Sequence, residues 1–504
     1  MHRGLAAVTG SPTCATCPIS TPECRASAAS LRPLGGHKRR ESNRLKSSSA
    51  PYPAAPLSPL VRRIERRSNE NLTAVDTFGA LFAFPRLRTS VGEFYDPSAA
   101  AWCVWRRRHT LGSMEHTGQR IRYWRRRRGG ISQKVLADRA GLTQGYISQI
   151  ESGQRALDRR ATQVAIARAL NVTVAQLLGQ PGDPTDPAKA AATAAIPDIR
   201  SAYIEIAVGE RRKPERPREA VREAVERSTI LRNNADYAAL APGMANLLRD
   251  AFYFGGPEFV ELTFNARFLV KGLGFQDLAV GIADAGLRCA RNLELPEWIG
   301  LAEISRLNAM PPENAALAGR LAFRTATEMQ PFLGTARVRQ AYGNLLCRGS
   351  IANAIAGQAS GAFDLLEEAY TEARSLGETE DGGFGLLWFG PTSAAIWHVS
   401  VASELGDSDT AIKVARTVDP RPVRAPNRVV YFWTDYGRAL TTTGNDSEAV
   451  RAFSEAEMVD PQRTRMDPMV LDSVSALARR ARRQAIDARL RSLAHSLGID
   501  PHAV

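Results

Sequence analysis

Hydrophobic and polar positions along the 504-residue chain fall into distinct regimes. Over residues 1–113 they keep neither a two-residue nor a 3.6-residue period. Short apolar pieces such as TFGALFAFPRL at 77–87 stand isolated among Pro, Ser, Ala and Arg. Runs such as GGHKRRESNRLKSSSAPYPAAP at 35–56 cannot bury enough apolar surface to offset chain entropy. From Thr117 to about Gly179, apolar residues return every three or four positions in short segments, the mark of small amphipathic helices. A Pro-, Ala- and Asp-rich stretch at 180–198, QPGDPTDPAKAAATAAIPD, then reads as a linker. From about 199 to 500 the spacing is helical almost throughout. The pattern predicts an all-α protein: a disordered basic extension over 1–113, a five-helix domain over 114–180, a linker over 181–198 and a helical repeat domain over 199–500. The abrupt onset of order beside Met114 predicts that translation begins there and that the extension is not native. The alternative is a basic arm that scans DNA.

The long helical region repeats itself. A glycine followed five residues later by alanine opens a new helix at Gly274/Ala279, Gly357/Ala362, Gly406/Ala411 and Gly444/Ala449. In the clearest copy, 430–461, Trp433, Tyr436, Gly437 and Leu440 share one face of a first helix. Gly444 breaks it, Ala449, Phe453 and Ala456 line a second helix, and Pro461 ends the unit. Small residues let the two backbones approach, while Trp433 and Phe453 fill the space between neighbours. This copy resembles the tetratricopeptide repeat. The resemblance implies an α-solenoid of helical hairpins, irregular where the intervals stretch.

The strongest local signal is SQKVLADRAGLTQGYISQIESGQR at 132–155. It reads as two short helices around a tight turn. Ser132 caps the first, with Leu136, Ala137 and Ala140 inside. Gly141 makes the turn with a positive φ, Leu142 plugs the core, and Thr143 caps the second helix. Ile147 and Ile150 face inward, and Gly153 ends the helix. Its outer face presents Gln144, Gly145, Ser148 and Gln149, and glutamine can pair with the adenine edge in the major groove. This motif, with GQRIRYWRRRRGG before it and DRRATQVAIARALN and TVAQLLG after it, resembles the phage-repressor-like helix-turn-helix of the xenobiotic-response-element (XRE) family. The resemblance implies that Gln133 contacts phosphate and buttresses Gln144. The departure is Gly145, where phage repressors often carry a larger polar reader. The predicted DNA-contacting set is Gln133, Thr143, Gln144, Gly145, Tyr146, Ser148, Gln149, Arg125 and Arg155. Glu151 is expected to pair with the scaffold. Arg125 to Arg128 divide between phosphate contacts and a solvated face.

Charge placement agrees. The net +14 divides into +10 over 1–113, +6 over 114–186 and −2 over the remainder, so the basic character expected of a phosphate-bearing partner lies in the first third. Six cysteines make no disulfide framework, and the CxxC of Cys14 and Cys17, near Cys24, lacks a second pair for a metal site. No apolar run approaches 18 residues and no secretory signal opens the chain, so the expected compartment is the cytoplasm, at the nucleoid, with no membrane contact. HExxH, phosphate-loop and GxSxG motifs are missing from the sequence, so no enzyme and no cofactor is expected. His398 reads as a packed or partner-bonded side chain, and Trp388 and Trp433 as possible walls of a ligand groove. The stretches at 233–251, 388–407 and 490–500 resemble actinobacterial regulators that join this DNA-binding module to tetratricopeptide-like repeats. Here Ser393 stands where an asparagine usually follows Phe389-Gly390-Pro391-Thr392. That resemblance implies transcriptional control. The expected partners are double-stranded DNA, a second copy in a homodimer, and an unknown peptide, small molecule or protein at the repeats. The rival expectation is an interaction adaptor whose DNA-binding module is vestigial.

Overall fold

The computed structural model describes residues 116–180, 187–481 and 487–499, all within one compact unit spanning 95–504. The expected extension over 1–113, with Met114 and the N-terminal cysteines, lies outside the described residues. Every regular element among the described residues is helical, so the chain is all-α.

The N-terminal domain holds α1 (Thr117–Arg127), α2 (Gln133–Ala140), α3 (Gln144–Glu151), α4 (Arg160–Leu170) and α5 (Val174–Leu178). Their boundaries follow from capping chemistry. Ser132 Oγ accepts from the Val135 N–H and Thr143 Oγ1 from the Tyr146 N–H, each at 3.2 Å. Between these two helices Gly141 sits at φ +65°, where a side chain would be strained. Thr173 and Gln176 form a reciprocal capping box on α5. Ile121, Leu136, Ile147, Ile150, Ile166 and Leu177 close the core, and each fully buried aliphatic side chain contributes about 1.5–3 kcal/mol. Ala140 and Leu142 are only partly buried at its edge. At Gly118 the backbones of α1 and α3 meet closely; a Cβ there would lie 1.8 Å from the Ile150 carbonyl oxygen.

The array that follows comprises α6 (Pro187–Ala194), α7 (Ile196–Ala207), α8 (Arg218–Asn233), α9 (Tyr237–Leu240), α10 (Met244–Phe254), α11 (Gly256–Gly272) and α12 (Gln276–Leu293). It continues through α13 (Pro296–Ala309), α14 (Ala315–Met329), α15 (Ala336–Ile355), α16 (Ala359–Leu376), α17 (Pro391–Leu405) and α18 (Ser408–Ala415). The last elements are α19 (Pro426–Thr443), α20 (Asp446–Val459), α21 (Pro461–Met466), α22 (Pro468–Ala481) and α23 (Ala488–Ser496). The linker expected over 181–198 is helical from Pro187 onward: α6 and the first turn of α7 lie within it, and Ala192 and Ile196 are buried in the core of the array. Alanine and isoleucine at helical spacing outweigh the Pro/Asp-rich start.

The four Gly/Ala copies are one structural device. Gly274, Gly357, Gly406 and Gly444 all adopt φ between +76° and +91°. In each, the next residue's N–H closes back on a carbonyl five positions earlier: Phe275 to Val270, Gln358 to Asn353, Asp407 to Ala402 and Asn445 to Leu440. Ala279, Ala362, Ala411 and Ala449 are fully buried on the returning helices. In the hairpin α19–α20, the Phe453 ring packs against Gly437, and Ala456 is fully buried.

The N-terminal domain is docked on this array. Asp472 Oδ1 accepts from the Thr117 N–H at 2.9 Å. Glu404 accepts from the Arg160 N–H at 3.0 Å and from its guanidinium at 2.6 Å. Glu313 Oε1 accepts from the Val174 N–H at 2.8 Å. Thr117, Arg160 and Val174 are the first residues of α1, α4 and α5, whose leading N–H groups have no partner inside their own helix. Arg438 extends the contact, bonding Glu404 at 3.1 Å and the Asp158 carbonyl.

Candidate nucleic-acid interface

Thr143 starts α3 with its side chain as the cap, so Gln144 occupies the first helical position and Gly145 the second. The inward pull of Ile147 and Ile150 sets the rotation of α3 and turns Gln144, Gly145 and Gln149 to solvent, with Ser148 partly exposed beside them. A Cβ added at Gly145 would meet nothing within 4 Å, so this face is open. Gln133 holds the matching first position of α2. The docking contacts all use α1, α4, α5 and the segment before α4, which leaves the outer face of α3 uncovered.

The end of α3 is held by an internal charge network. Glu151 is 1% exposed. It accepts from Arg125 Nε at 2.7 Å and Nη2 at 2.9 Å, from Gln133 Nε2 at 2.9 Å, and from Arg122 Nε at 3.4 Å. Burial opposes its charge, but the bonds from Arg125 and Gln133 and the nearby guanidiniums prevail and hold the carboxyl below its usual range. Glu151 is thus a scaffold residue, as its sequence position suggested.

Three of the predicted contacts change meaning. Arg125 also donates to the Ile131 carbonyl at 2.7 Å, and its side chain is 13% exposed; all three of its nitrogens donate inside the domain. Arg125 thus forms a strut between α1 and the end of α3. Gln133 directs its amide N–H to Glu151 rather than to Gln144, so it braces α3 at its far end. Tyr146 packs its ring on the domain core, and the Arg155 guanidinium lies 4.7 Å from the ring centroid. It is a wall of the domain, while Arg155 above it is exposed. The exposed cations of the α1 end are Arg126, Arg127 and Arg128; Arg128 bonds the Asn171 carbonyl at 3.0 Å. Lys134, exposed beside Gln133 in the first turn of α2, was missed by the sequence reading, although its position next to a phosphate-contact candidate was signal enough.

Outside this face, Tyr370 Oη and His398 Nδ1 are 3.3 Å apart, so His398 is a partner-bonded side chain; burial pushes its pKa down. Trp388 donates its indole N–H to Asn233 at 2.9 Å and is buried. Among the described residues no group of His, Cys, Asp and Glu has the geometry of a metal site, and no helix is long and apolar enough to cross a membrane.

A helix-turn-helix domain family model matches residues 117–178, which span α1 to α5. No curated protein and no solved structure matches the chain. The chain carries a helix-turn-helix DNA-binding module joined to an array of packed helices.

Proposed function

We propose that this protein is a sequence-specific transcriptional regulator of the XRE type. It binds an approximately palindromic operator as a homodimer and works at the nucleoid in the cytoplasm. The observation that carries the reading is the open polar face of α3, with Gln144 at its first turn, on a domain anchored through its other helices. A dimer follows from reach, because one recognition helix covers only a few base pairs and a two-fold operator needs two. The helical array, with tetratricopeptide-like hairpins, serves as the sensing and assembly domain.

Genome-wide footprinting supplies the operator, and titrations on operator and on random duplex at several salt concentrations then test the reading. Gln144→Ala is expected to weaken operator binding by roughly 1–3 kcal/mol and to relax preference at one base pair per half-site, with random duplex little changed. Arg127→Ala is expected to weaken both duplexes and to lower the salt slope by about one unit. Equal losses on both duplexes for Gln144→Ala would remove it as a base reader. A parent protein that binds no genomic DNA at low salt would hand the case to the adaptor reading.

A further inference from the structure

Between the DNA-binding helices and the inner faces of α8, α11, α15 and α19 lies a cavity of about 720 Å³, a volume typical of small-molecule sites. Its wall gathers Arg232, Arg267, Lys271, Arg348, Arg428 and Arg463. The guanidiniums stack in groups on aromatic rings. Arg232 and Arg267 lie 4.8 and 4.7 Å from the Phe264 ring centroid, Arg348 and Arg428 lie 4.1 and 3.6 Å from that of Trp397, and Arg463 lies 4.2 Å from that of Tyr431. Such stacking fixes where the cations sit without neutralising them.

Their charge is not met by carboxylates. Among the described residues, none of Arg232, Arg267, Lys271, Arg348 and Arg428 has an ion-pair partner within 4 Å; Arg463 has a distant one, Asp467 at 3.9 Å. Buried Nε atoms of Arg232, Arg267, Arg348 and Arg428, with Nη2 of Arg428, have no hydrogen-bond partner. Of the acids that line or adjoin the cavity, Asp435 is held by Arg438 at 2.6 Å and Ser400 at 2.5 Å, and Glu313 accepts from the Val174 N–H through one oxygen. Glu261 accepts from Thr229 at 2.8 Å, Asp467 faces Arg463, Asp460 caps the Arg463 N–H at 2.9 Å, and Asp277 is exposed at the rim. Burial first, and then mutual repulsion, pushes Arg267 down to about 9, and burial pushes Arg232 and Arg428 down to about 10. All three stay charged at neutral pH. Unpaired buried charge costs several kcal/mol per ion, so the three buried members, Arg232, Arg267 and Arg428, call for a counter-charge. Beside them stand the half-buried Arg348 and Arg463 and the exposed Lys271, which donates to the Asn308 carbonyl. The opposite wall belongs to the DNA-binding domain, through Arg160, Gln163, Val174 and Gln176.

We propose that this cavity is the binding site of a small organic polyanion bearing phosphate or carboxylate groups, and that this ligand is the effector sensed by the array. The proposal rests on the sensor reading above and deepens it. Guanidiniums already held on aromatic rings present forked donors that suit either anion, with little ordering left to do on binding. Because α4 and α5 share the wall, an occupant touches the DNA-binding domain and the array together.

The test uses the full-length protein without DNA, heated in the presence of ATP, inorganic pyrophosphate, citrate or neutral adenosine. A polyanion is expected to raise Tm by several degrees in a concentration-dependent way, and adenosine is expected to leave it unchanged. ATP and pyrophosphate against citrate separate phosphate from carboxylate recognition. Arg267→Met and Arg348→Met should each abolish the shift, whereas Lys413→Ala, at an exposed position on α18, should retain it. Ligand-free Arg348→Met should melt at or above the parent temperature, because it removes an unpaired cation from the cluster. The proposal is overturned if no polyanion shifts Tm, if the shift survives both cavity variants, or if ligand-free Arg348→Met melts lower. Operator titration separates the two readings: intact operator binding without a polyanion response defeats the effector site alone, and a polyanion response without DNA binding defeats the regulator alone.

Discussion

At the residue scale, buried ionisable groups at the docking seam set how stability responds to pH. Asp472 is pushed up to about 6 by burial, although the Thr117 N–H and nearby Arg120 and Arg479 favour its charge. His116, one residue before α1, is pushed down to about 3 by burial and by Arg479, Arg122 and Arg120. The two act in opposite senses. For Asp472 the folded state binds more protons than the unfolded state, whose carboxyl titrates near about 4, so stability falls as pH rises from about 4 to 6. For His116 the unfolded state binds more protons below about 6.5, so stability falls as pH drops through that value. Asp472→Asn keeps an acceptor for Thr117. It should be no less stable than the parent at pH 7.5 and should lose stability more steeply between pH 6 and 4. Urea midpoints across that range check this, and a variant with the parent's pH profile would refute it.

At the element scale, helix ends carry the architecture. The hairpin turns are closed by glycines whose cost of replacement is almost purely conformational. At Gly444 a Cβ would meet nothing within 4 Å, yet φ is +81°. Gly444→Ala is therefore expected to cost about 1 kcal/mol, read as a lower urea midpoint with an unchanged denaturant slope. The starts of α1, α4 and α5 are completed from outside, by carboxylates of the array that meet the positive end of each helix. Neither His116 nor Arg159, the residues that precede α1 and α4, supplies a side-chain cap of its own. Glu404 carries the most: nearby Arg160 and Arg438 outweigh its burial and hold it below the usual carboxylate range. Glu404→Ala removes one of the two carboxylate partners of buried Arg438, Asp435 remaining, together with the cap on Arg160, and is expected to destabilise the chain by about 1–3 kcal/mol. Equilibrium unfolding measures this, and a loss below about 1 kcal/mol would mean that the contact is not formed in solution.

At the scale of the whole molecule, the DNA-binding domain is part of a continuous packed body. The outer face of α3 takes no part in the docking contacts and stays exposed. The array has its own cores, one built from α6–α13 and others from α11–α23. A fragment beginning at Pro187 should therefore fold, with a helical circular-dichroism spectrum. It should melt below the full chain, because Glu313, Glu404 and Asp472 lose the N–H partners they cap. A fragment as stable as the full chain would show that docking contributes nothing.

The sequence alone determined the features whose causes lie within a few residues of one another. The glycine turns and the spacing of buried alanines defined the hairpins. The pair Ser132 and Thr143 with Gly141 defined the turn of the DNA-binding module, and Ile147 and Ile150 set which way Gln144 points. Linker, strut and cavity were not legible in the same way. Ala192 and Ile196 look like linker residues until a core is present to receive them. Whether Arg125 meets a phosphate or Glu151 depends on how α1 crosses α3. The docking caps join residues as far apart as Thr117 and Asp472, 355 positions, and the cavity cations come from several different helices. Local chemistry chooses helix, turn and cap, because each needs only near neighbours. Tertiary packing decides which charges are paired, because an ion's partner is set by distance in space, and the sequence does not encode that distance locally.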